Sequence, residues 1–272
     1  MPELPEVETI KNDLLPTVVG HRFTRVDILD PEIVRQPGIA EFCHRLVGQR
    51  VEGLERRGKY LIFRLSSGAA LILHLKMSGS LLFNPRQIDP YARAVFYFDD
   101  GSRLVFADPR RFGVMWLVED VETVVGKLGP EPLAPGFTPE VLLKLLSQRR
   151  APIKAVLCDQ DLIAGIGNMY ADEALFRANI HPLRRANSLC WREVKRLHSA
   201  IRQVLETAIG NKGASTDTYV RPDGQLGTAH SSFCVAHRGG EPCPVCGTPV
   251  ERIALRNRGT YFCPRCQPGS PS

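Results

Sequence analysis

At 272 residues, 43% of them hydrophobic and 24% charged, the chain has an ordinary globular composition, which excludes disorder over most of its length. No apolar run approaches the roughly 20 residues that a membrane-spanning helix needs. The first twenty residues carry Glu3, Glu6, Glu8 and Asp13 without a continuous apolar stretch, so a secretory signal is not expected and the chain is expected in the cytoplasm. Thirty-five Lys and Arg against 29 Asp and Glu leave a net charge of +6, a moderate excess that suits a polyanionic partner without requiring one.

Residues 5–15 are predicted as a helix. Pro5 suits the first turn, Glu6 and Glu8 complement the positive end of the helix dipole, Val7, Ile10 and Leu14 share a face, and Gly20 closes the segment. From 22 to 118 the period becomes two. Strands are predicted at Phe23–Leu29, Val51–Arg56, Lys59–Leu65, Ala69–Leu75, Ala94–Phe98, Arg103–Ala107 and Val114–Val118, punctuated by Ser67-Gly68, Ser78-Gly79 and Asp100-Gly101. So many short strands predict an antiparallel β-sandwich with a flanking helix over residues 1–128.

Pro130, Pro132, Pro135 and Pro139, with Gly129 and Gly136, break any helix or strand and mark a linker at 129–138. Helices follow at 139–148, 152–159, 168–178 and 188–210, the last with Val194, Leu197, Ile201, Val204, Leu205 and Ala208 on one stripe. A polar, Gly-rich stretch at 211–228 reads as a mobile loop of this helical domain, which is expected to span 139–230. A hairpin at 231–267 and a disordered tail at 268–272 complete an α+β chain of two domains.

Of eight cysteines, Cys43, Cys158, Cys190 and Cys234 are scattered singly, as expected of reduced, buried small apolar side chains. The others form Cys243-x2-Cys246-x16-Cys263-x2-Cys266. Two CxxC turns facing each other across a hairpin make a closed tetrahedral site for one zinc ion; a pair of disulfides is the alternative, disfavoured in the cytoplasm. Four protein ligands leave no open position for water, so this zinc is expected to be structural. About 25 residues cannot build a core, and zinc binding of about 10–16 kcal/mol supplies the missing folding energy.

Met1 precedes Pro2, and an initiator Met is usually trimmed when so small a residue follows. The mature chain would then open with a secondary amine followed at once by Glu3. An α-amino group titrates near 7.7–8.0, against about 10.4 for Lys, so it is far more nucleophilic at neutral pH. Such an amine can form a Schiff base with an aldehyde-level carbon, and a neighbouring carboxylate can shuttle protons. A Met-Pro start by itself is common and usually carries no chemistry.

The segment Pro2-Glu3-Leu4-Pro5-Glu6-Val7-Glu8-Thr9 resembles the opening of the bacterial formamidopyrimidine-DNA glycosylases. The resemblance continues through Arg57-Gly58-Lys59-Tyr60-Leu61, His74-Leu75-Lys76-Met77-Ser78-Gly79, Asp108-Pro109-Arg110-Arg111-Phe112-Gly113, Gly129-Pro130-Glu131-Pro132-Leu133 and Gly165-Ile166-Gly167-Asn168-Met169-Tyr170-Ala171-Asp172-Glu173. The four-cysteine hairpin with Arg258-Gly259-Thr260 completes the series. Leu4 favours this family over the related endonuclease VIII enzymes, which usually carry Gly there.

The resemblance implies a monomeric, bifunctional base-excision enzyme that removes oxidised purines, preferably opposite cytosine, and then cuts the strand by β,δ-elimination. It implies a helix-two-turns-helix in residues 152–178. It implies Pro2 as nucleophile, Glu3 as proton carrier, Lys59 in proton transfer and phosphate contact near the lesion, and Arg258 at the lesion's phosphates, these four forming the catalytic set. Arg252, Arg256 and Arg265 lie near Arg258 in sequence and could equally offset the zinc thiolates' charge. Met77, Arg110 and Phe112 match an intercalating triad that fills the gap left by an extruded base; core packing is the bland reading for Met77 and Phe112. Arg149, Lys154 and Asn168 match DNA-contacting positions, and loop 211–228 matches a lid over the extruded purine. His74 is expected to be structural.

Three departures from the family's pattern stand out. Lys76 replaces a frequent Gly, Asp89–Arg93 lacks common histidines so that Tyr91 or Arg93 would substitute in DNA contact, and Val235-Ala236-His237-Arg238 stands for Val-Tyr-Gly-Arg. A non-catalytic zinc-ribbon DNA-binding protein is the main rival reading, and an endonuclease VIII-like enzyme for oxidised pyrimidines the second.

Overall fold

A computed structural model describes residues 1–269. The chain forms two compact units: Met1–Lys127 together with Ile209–His230, and Leu128–Ala208 together with the residues from Ser231 onward.

The first unit opens with α1 (Leu4–Val18). Glu3 is its N-cap, and the Glu3 N–H donates to Glu6 Oε2 at 2.8 Å, satisfying a donor that the first turn leaves over. Leu4, Val7, Ile10, Leu14 and Val18 recur at helical spacing and are all buried. Two sheets follow. One has the order β2-β9-β5-β4-β3, with β2 Val34–Gln36, β3 Val51–Arg57, β4 Tyr60–Leu65, β5 Ala70–His74 and β9 Val114–Val118. The other has the order β1-β7-β8-β6, with β1 Phe23–Ile28, β6 Ser80–Phe83, β7 Ala92–Phe98 and β8 Arg103–Ala107. Every pairing is antiparallel except β2 with β9.

Alternate residues of both sheets, Leu61, Phe63, Leu71 and Leu73 from one and Leu81, Ala94, Phe96 and Phe106 from the other, meet the apolar stripe of α1 in one buried cluster. The seven predicted strands are present. The periodicity missed β2, β6 and the eight-residue α2 (Ile39–Leu46), which buries only Phe42 and Leu46. Segments this short carry too little pattern and depend on tertiary packing.

Residues 209–230 correct the expected domain plan. They pack with the first unit: Tyr219 joins its core, Ala214 N–H donates to Glu6 Oε1 at 2.8 Å, Arg221 pairs with Asp13 at 2.8 Å, and Phe83 N–H donates to the Pro222 carbonyl at 2.8 Å. The expected loop thus carries no helix or strand over 211–228, yet it is docked at several points.

The second unit holds α4 (Pro139–Ser147), α5 (Ile153–Leu157), α6 (Asn168–Arg177), most of α7 (Trp191–Gly210) and the hairpin β10 (Glu251–Leu255)–β11 (Arg258–Phe262); the short α3 (Glu122–Val125) precedes it in the first unit. Thr138 caps α4, its Oγ1 accepting the Val141 N–H at 3.4 Å. Gly129 sits so close to Leu162 that an added Cβ would lie 2.3 Å from its carbonyl carbon, which excludes any side chain there. Residues 270–272 of the expected tail lie outside the described residues. Gln267, just before that tail, is buried, accepting the Cys263 N–H and donating to the Ile180 carbonyl, each at 2.9 Å. Among the described residues no helix is long and apolar enough to cross a membrane.

Two of the departures occupy left-handed backbone. Lys76 has φ +55° and His237 φ +62°, so each holds a conformation natural to the glycine it replaces. Replacing Lys76 with Gly is expected to raise unfolding stability by about 0.5–1 kcal/mol, since relief of left-handed strain outweighs the added chain entropy; an unchanged or lower urea midpoint would contradict this.

His74 is buried edge-on against Tyr60 (centroids 4.6 Å apart), and its Nδ1 accepts the Lys76 N–H at 3.0 Å. Burial first, then the Lys76 and Lys59 ammonium groups, push its pKa down to about 3 from 6.5. The unfolded chain therefore takes up a proton that the folded chain refuses. The neutral ring costs nothing above pH 6.5, and stability is lost as pH falls from about 6.5 toward about 3. His74→Asn should flatten the dependence of unfolding free energy on pH across that window.

Candidate active site and nucleic-acid interface

The N-terminal corner of the first unit is built around α1. Pro2 is buried and Glu3 is 2% exposed, while Met1 lies at the surface. Glu6 accepts from Glu3 N–H with one carboxylate oxygen and from Ala214 N–H with the other, so a single buried carboxylate fixes both the start of the chain and the loop that follows α7. Lys59 is 5% exposed and follows Gly58, whose φ of +56° makes the tight β3–β4 turn. Arg56 braces that turn, its Nε donating to Glu8 Oε2 at 2.7 Å and its Nη1 to the Gly58 carbonyl at 3.0 Å. Burial works to raise Glu8, but hydrogen bonds from Lys11 and Arg56 outweigh it and hold the carboxyl below its ordinary range. The Lys59 ammonium lies near enough to His74 to depress its protonation.

Met77, Arg110 and Phe112 stand on loop tips. Met77 is 41% and Phe112 50% exposed, and the Arg110 guanidinium lies 5.0 Å from the Phe112 ring centroid. Core packing is therefore the wrong reading of Met77 and Phe112. The residue that organises these tips is Asp108, fully buried. Its carboxylate accepts the N–H groups of Arg110 at 3.1 Å, Phe112 at 2.8 Å and Gly113 at 2.7 Å, and the Ser78 hydroxyl next to Met77. Both tips thus hang from one carboxylate. Gly113 is required by close packing, because a Cβ there would lie 2.3 Å from the Phe106 ring. Tyr91 is exposed, and its carbonyl accepts the Asp108 N–H at 2.9 Å. Arg93 instead turns inward, its Nε donating to the Asp108 carbonyl at 2.8 Å.

In the second unit, Arg258 begins β11 after a two-residue turn in which Arg256 (φ +48°) and Asn257 (φ +60°) are both left-handed, the geometry of a tight primed hairpin turn. Arg258 is exposed and lines a cavity of about 390 Å3 with Arg256, Lys154, Cys158 and Gln160. Arg149 is exposed just beyond α4. Gln160 shapes the turn before α6 by accepting from Gly165 N–H at 2.9 Å and donating to the Ile166 carbonyl at 2.7 Å.

Lys154, expected to meet DNA, does not present its ammonium to solvent. It is 2% exposed and lies 2.7 Å from Asp172 Oδ1, donating also to Thr260 Oγ1 at 2.8 Å and the Gly259 carbonyl at 3.1 Å. Three acceptors saturate its three donors. Asn168, the first residue of α6, donates to the same Gly259 carbonyl at 2.9 Å, and Asp172 Oδ2 accepts the Tyr261 N–H at 3.2 Å. Burial pushes the Asp172 carboxyl up to about 7, with Lys154 opposing the shift. These α5 and α6 side chains therefore clamp the strand that presents Arg258.

The thiols of Cys243, Cys246, Cys263 and Cys266 converge with every Sγ within 4.8 Å of the others. Cys243–Cys266 and Cys246–Cys263 are 3.9 and 3.4 Å apart, far beyond a disulfide of about 2.05 Å and close to the roughly 3.8 Å that four thiolates 2.3 Å from one tetrahedral ion must adopt. The donor set fits one structural zinc ion, and the disulfide alternative fails. Backbone N–H of Cys266 donates to Cys263 Sγ at 3.4 Å, a contact that steadies a thiolate ligand.

Three family models match in chain order: the formamidopyrimidine-DNA glycosylase N-terminal domain over 1–115, its H2TH domain over 128–220, and the zinc finger found in FPG and IleRS over 240–269. The formamidopyrimidine-DNA glycosylase of Symbiobacterium thermophilum is 48% identical over 98% of this chain and 90% of that protein; the one from Geobacillus kaustophilus is 44% identical over 98% and 100%. The chain belongs to the formamidopyrimidine-DNA glycosylase family. Among solved structures, the MutM (FPG) protein from Thermus thermophilus is 40% identical with a TM-score of 0.91, covering 99% of this chain and 100% of that one. A point mutant of Lactococcus lactis FPG in complex with Fapy-dG-containing DNA is 33% identical with a TM-score of 0.92, covering 98% and 100%.

Sequence reasoning missed the residues that set this glycosylase's loops: Asp108, Glu6, Asp172 and Glu173. Glu173 accepts the N–H groups of Cys234, Val235 and Ala236 at 2.8–2.9 Å. One signal was present for Asp108: an aspartate followed by proline, four residues ahead of Phe112 and five ahead of a glycine, marks a turn whose carboxylate can accept downstream N–H groups.

Three outcomes follow for the glycosylase. Removing the Arg258 charge with Arg258→Ala should lower the slope of log DNA affinity against log salt by about 1, whereas Lys154→Met should leave the slope unchanged. Lys154→Met should also cost about 3–5 kcal/mol of stability by stranding Asp172. Equal slope losses would return Lys154 to the phosphates. Cys246→Ser should lose zinc and DNA affinity together, read by metal stoichiometry and binding on one preparation.

Proposed function

We propose that this chain is a bifunctional DNA glycosylase and abasic-site lyase that excises oxidised purines opposite cytosine, with Pro2 as nucleophile. The observation that carries this is the fixed N-terminus: Pro2 is buried at the head of α1, and Glu6 pins the adjoining Glu3 N–H. Among the relatives, Lactococcus lactis FPG has been solved with Fapy-dG-containing and with abasic-site DNA.

The steps follow from ordinary amine chemistry. Removal of Met1 converts the Pro2 nitrogen from an amide to a free secondary amine. That nitrogen bonds to C1′ as the glycosidic bond breaks and the base departs with a proton. Glu3 protonates the ring oxygen as the sugar opens, leaving an iminium between Pro2 and C1′. The iminium acidifies C2′–H; loss of that proton expels the 3′ phosphate, a second elimination expels the 5′ phosphate, and water releases Pro2.

A base must leave the stack before C1′ can be reached. Met77 and Phe112 are the exposed apolar wedge, Arg110 reads the orphaned cytosine, and Tyr91 borders the same tips. Loop 211–228 is assigned as the cover over the extruded purine. Lys59 is assigned to proton transfer and phosphate contact near the lesion, Arg258, Asn168 and Arg149 to phosphates, and Lys154 to holding the Arg258 strand. The zinc ion, bound by the four thiols, folds the hairpin and takes no part in bond breaking. The enzyme acts as a monomer on chromosomal DNA in the cytoplasm. The wedge favours this reading over an enzyme for oxidised pyrimidines, and the preorganised N-terminus favours it over a non-catalytic zinc-ribbon protein.

Borohydride reduction during turnover of a lesion-containing duplex should trap a covalent adduct. An uncleaved residue ahead of Pro2, which leaves the nitrogen acylated, should reduce trapping and strand cutting to background without lowering zinc content. Normal trapping by the extended chain would reject the nucleophile.

A further inference from the structure

Arg111 lies between Arg110 and Phe112 with φ +59°, a left-handed conformation unfavourable to any residue but glycine. Its side chain leaves the loop and forks onto Asp30, Nε donating to Oδ2 at 2.6 Å and Nη2 to Oδ1 at 3.0 Å. Such bidentate pairs fix angle as well as distance. The Asp30 side chain is 3% exposed and the Arg111 side chain 52%. Asp30 is itself held: Oδ1 accepts the Glu32 N–H at 3.3 Å, and its own N–H donates to the Arg93 carbonyl at 3.1 Å. The Arg111 hydrogen bond keeps the Asp30 carboxyl below its ordinary range despite burial.

Two carboxylates therefore grip one loop. Asp108 takes the backbone of residues 110, 112 and 113, and Asp30 takes the side chain of residue 111. The left-handed step between them turns Arg110 and Phe112 to the same side, where the guanidinium stacks on the ring.

We infer that Asp30 is a positioning residue for the Arg110–Phe112 wedge and thereby sets how strictly the base opposite the lesion is read. This rests on the wedge reading proposed above. A guanidinium discriminates bases only when its donors arrive in one place and orientation, because the wrong base then leaves them unpaired. If Arg111 is released, the loop relaxes toward right-handed backbone, Arg110 samples several directions, and cytosine and adenine are met more equally.

The test compares single-turnover excision of 8-oxoguanine opposite cytosine and opposite adenine for wild type, Asp30→Asn, Arg111→Gln, the double variant and Arg110→Ala. Asp30→Asn keeps the side-chain shape and the acceptor for Glu32 while removing the charge and one acceptor for Arg111. The cytosine-to-adenine rate ratio should fall by about fivefold to tenfold in either single variant, part of what one bidentate base contact supplies. The double variant should be no worse than the singles, because both break one interaction. Borohydride trapping on a single-stranded abasic oligonucleotide, which has no opposite base, should stay at wild-type level. A merely structural role would lower thermal stability and both rates alike, leaving the ratio unchanged. If Arg110→Ala lowers the ratio and Asp30→Asn does not, the inference fails alone; if Arg110→Ala leaves the ratio intact, the wedge reading fails with it.

Discussion

A buried carboxylate that accepts several backbone N–H groups is the interaction on which this protein depends. Irregular loops cannot satisfy their donors through a helix or a ladder, and buried donors left unpaired are costly. Asp108, Glu6 and Glu173 solve that problem at three places, each collecting N–H groups from segments without regular structure. Hydrogen bonds to an ionised acceptor are roughly twice as strong as neutral ones, which offsets the burial of the charge. Burial nonetheless pushes Glu173 upward, against the hydrogen bonds from the three backbone N–H groups. The result is a set of exposed tips whose geometry is fixed before any partner arrives.

The basic residues divide along the same line. Arg258, Arg149 and Arg110 are exposed, where a partner can reach them, whereas Lys154 and Arg111 direct their charge onto carboxylates. A net charge of +6 therefore overstates the cationic surface in some places and understates how deliberately it is arranged. Lys154 holds the strand that follows Arg258, and Arg111 holds the loop around Arg110. In both, a cation beside a residue proposed to touch DNA is used for architecture.

Much of the fold was legible in the sequence. The strands over 51–65 and 103–118 are short runs rich in apolar and β-branched residues bounded by turn signals, and Val194, Leu197, Ile201, Val204, Leu205 and Ala208 of α7 share a buried stripe. The zinc ligands were legible because spacing alone dictates two facing turns. Other features were not. Segment 209–230 owes its place in the first unit to Tyr219, Arg221 and Ala214, single contacts without any period. The buried pairing of Lys154 with Asp172 was not legible, because a lysine near a Gly-containing turn looks the same in sequence whether its ammonium faces phosphate or a buried aspartate. The carboxylate hubs were invisible for a related reason: composition counts Asp108 and Glu6 as ordinary surface charge, and only three-dimensional convergence of N–H groups reveals their work. The left-handed Lys76 and His237 show the converse, since two visible departures from the family's pattern leave the backbone as a glycine would hold it.

Covalent joining of the Pro2 nitrogen to the damaged sugar is the step on which the proposed activity rests. Proteolysis of the borohydride-reduced complex, followed by tandem mass spectrometry of the nucleotide-bearing peptide, tests it most directly. The expected product is a peptide that begins at Pro2 without Met1 and carries the sugar remnant on its α-nitrogen. A remnant on Lys59, or on any other side chain of an active preparation, would contradict it.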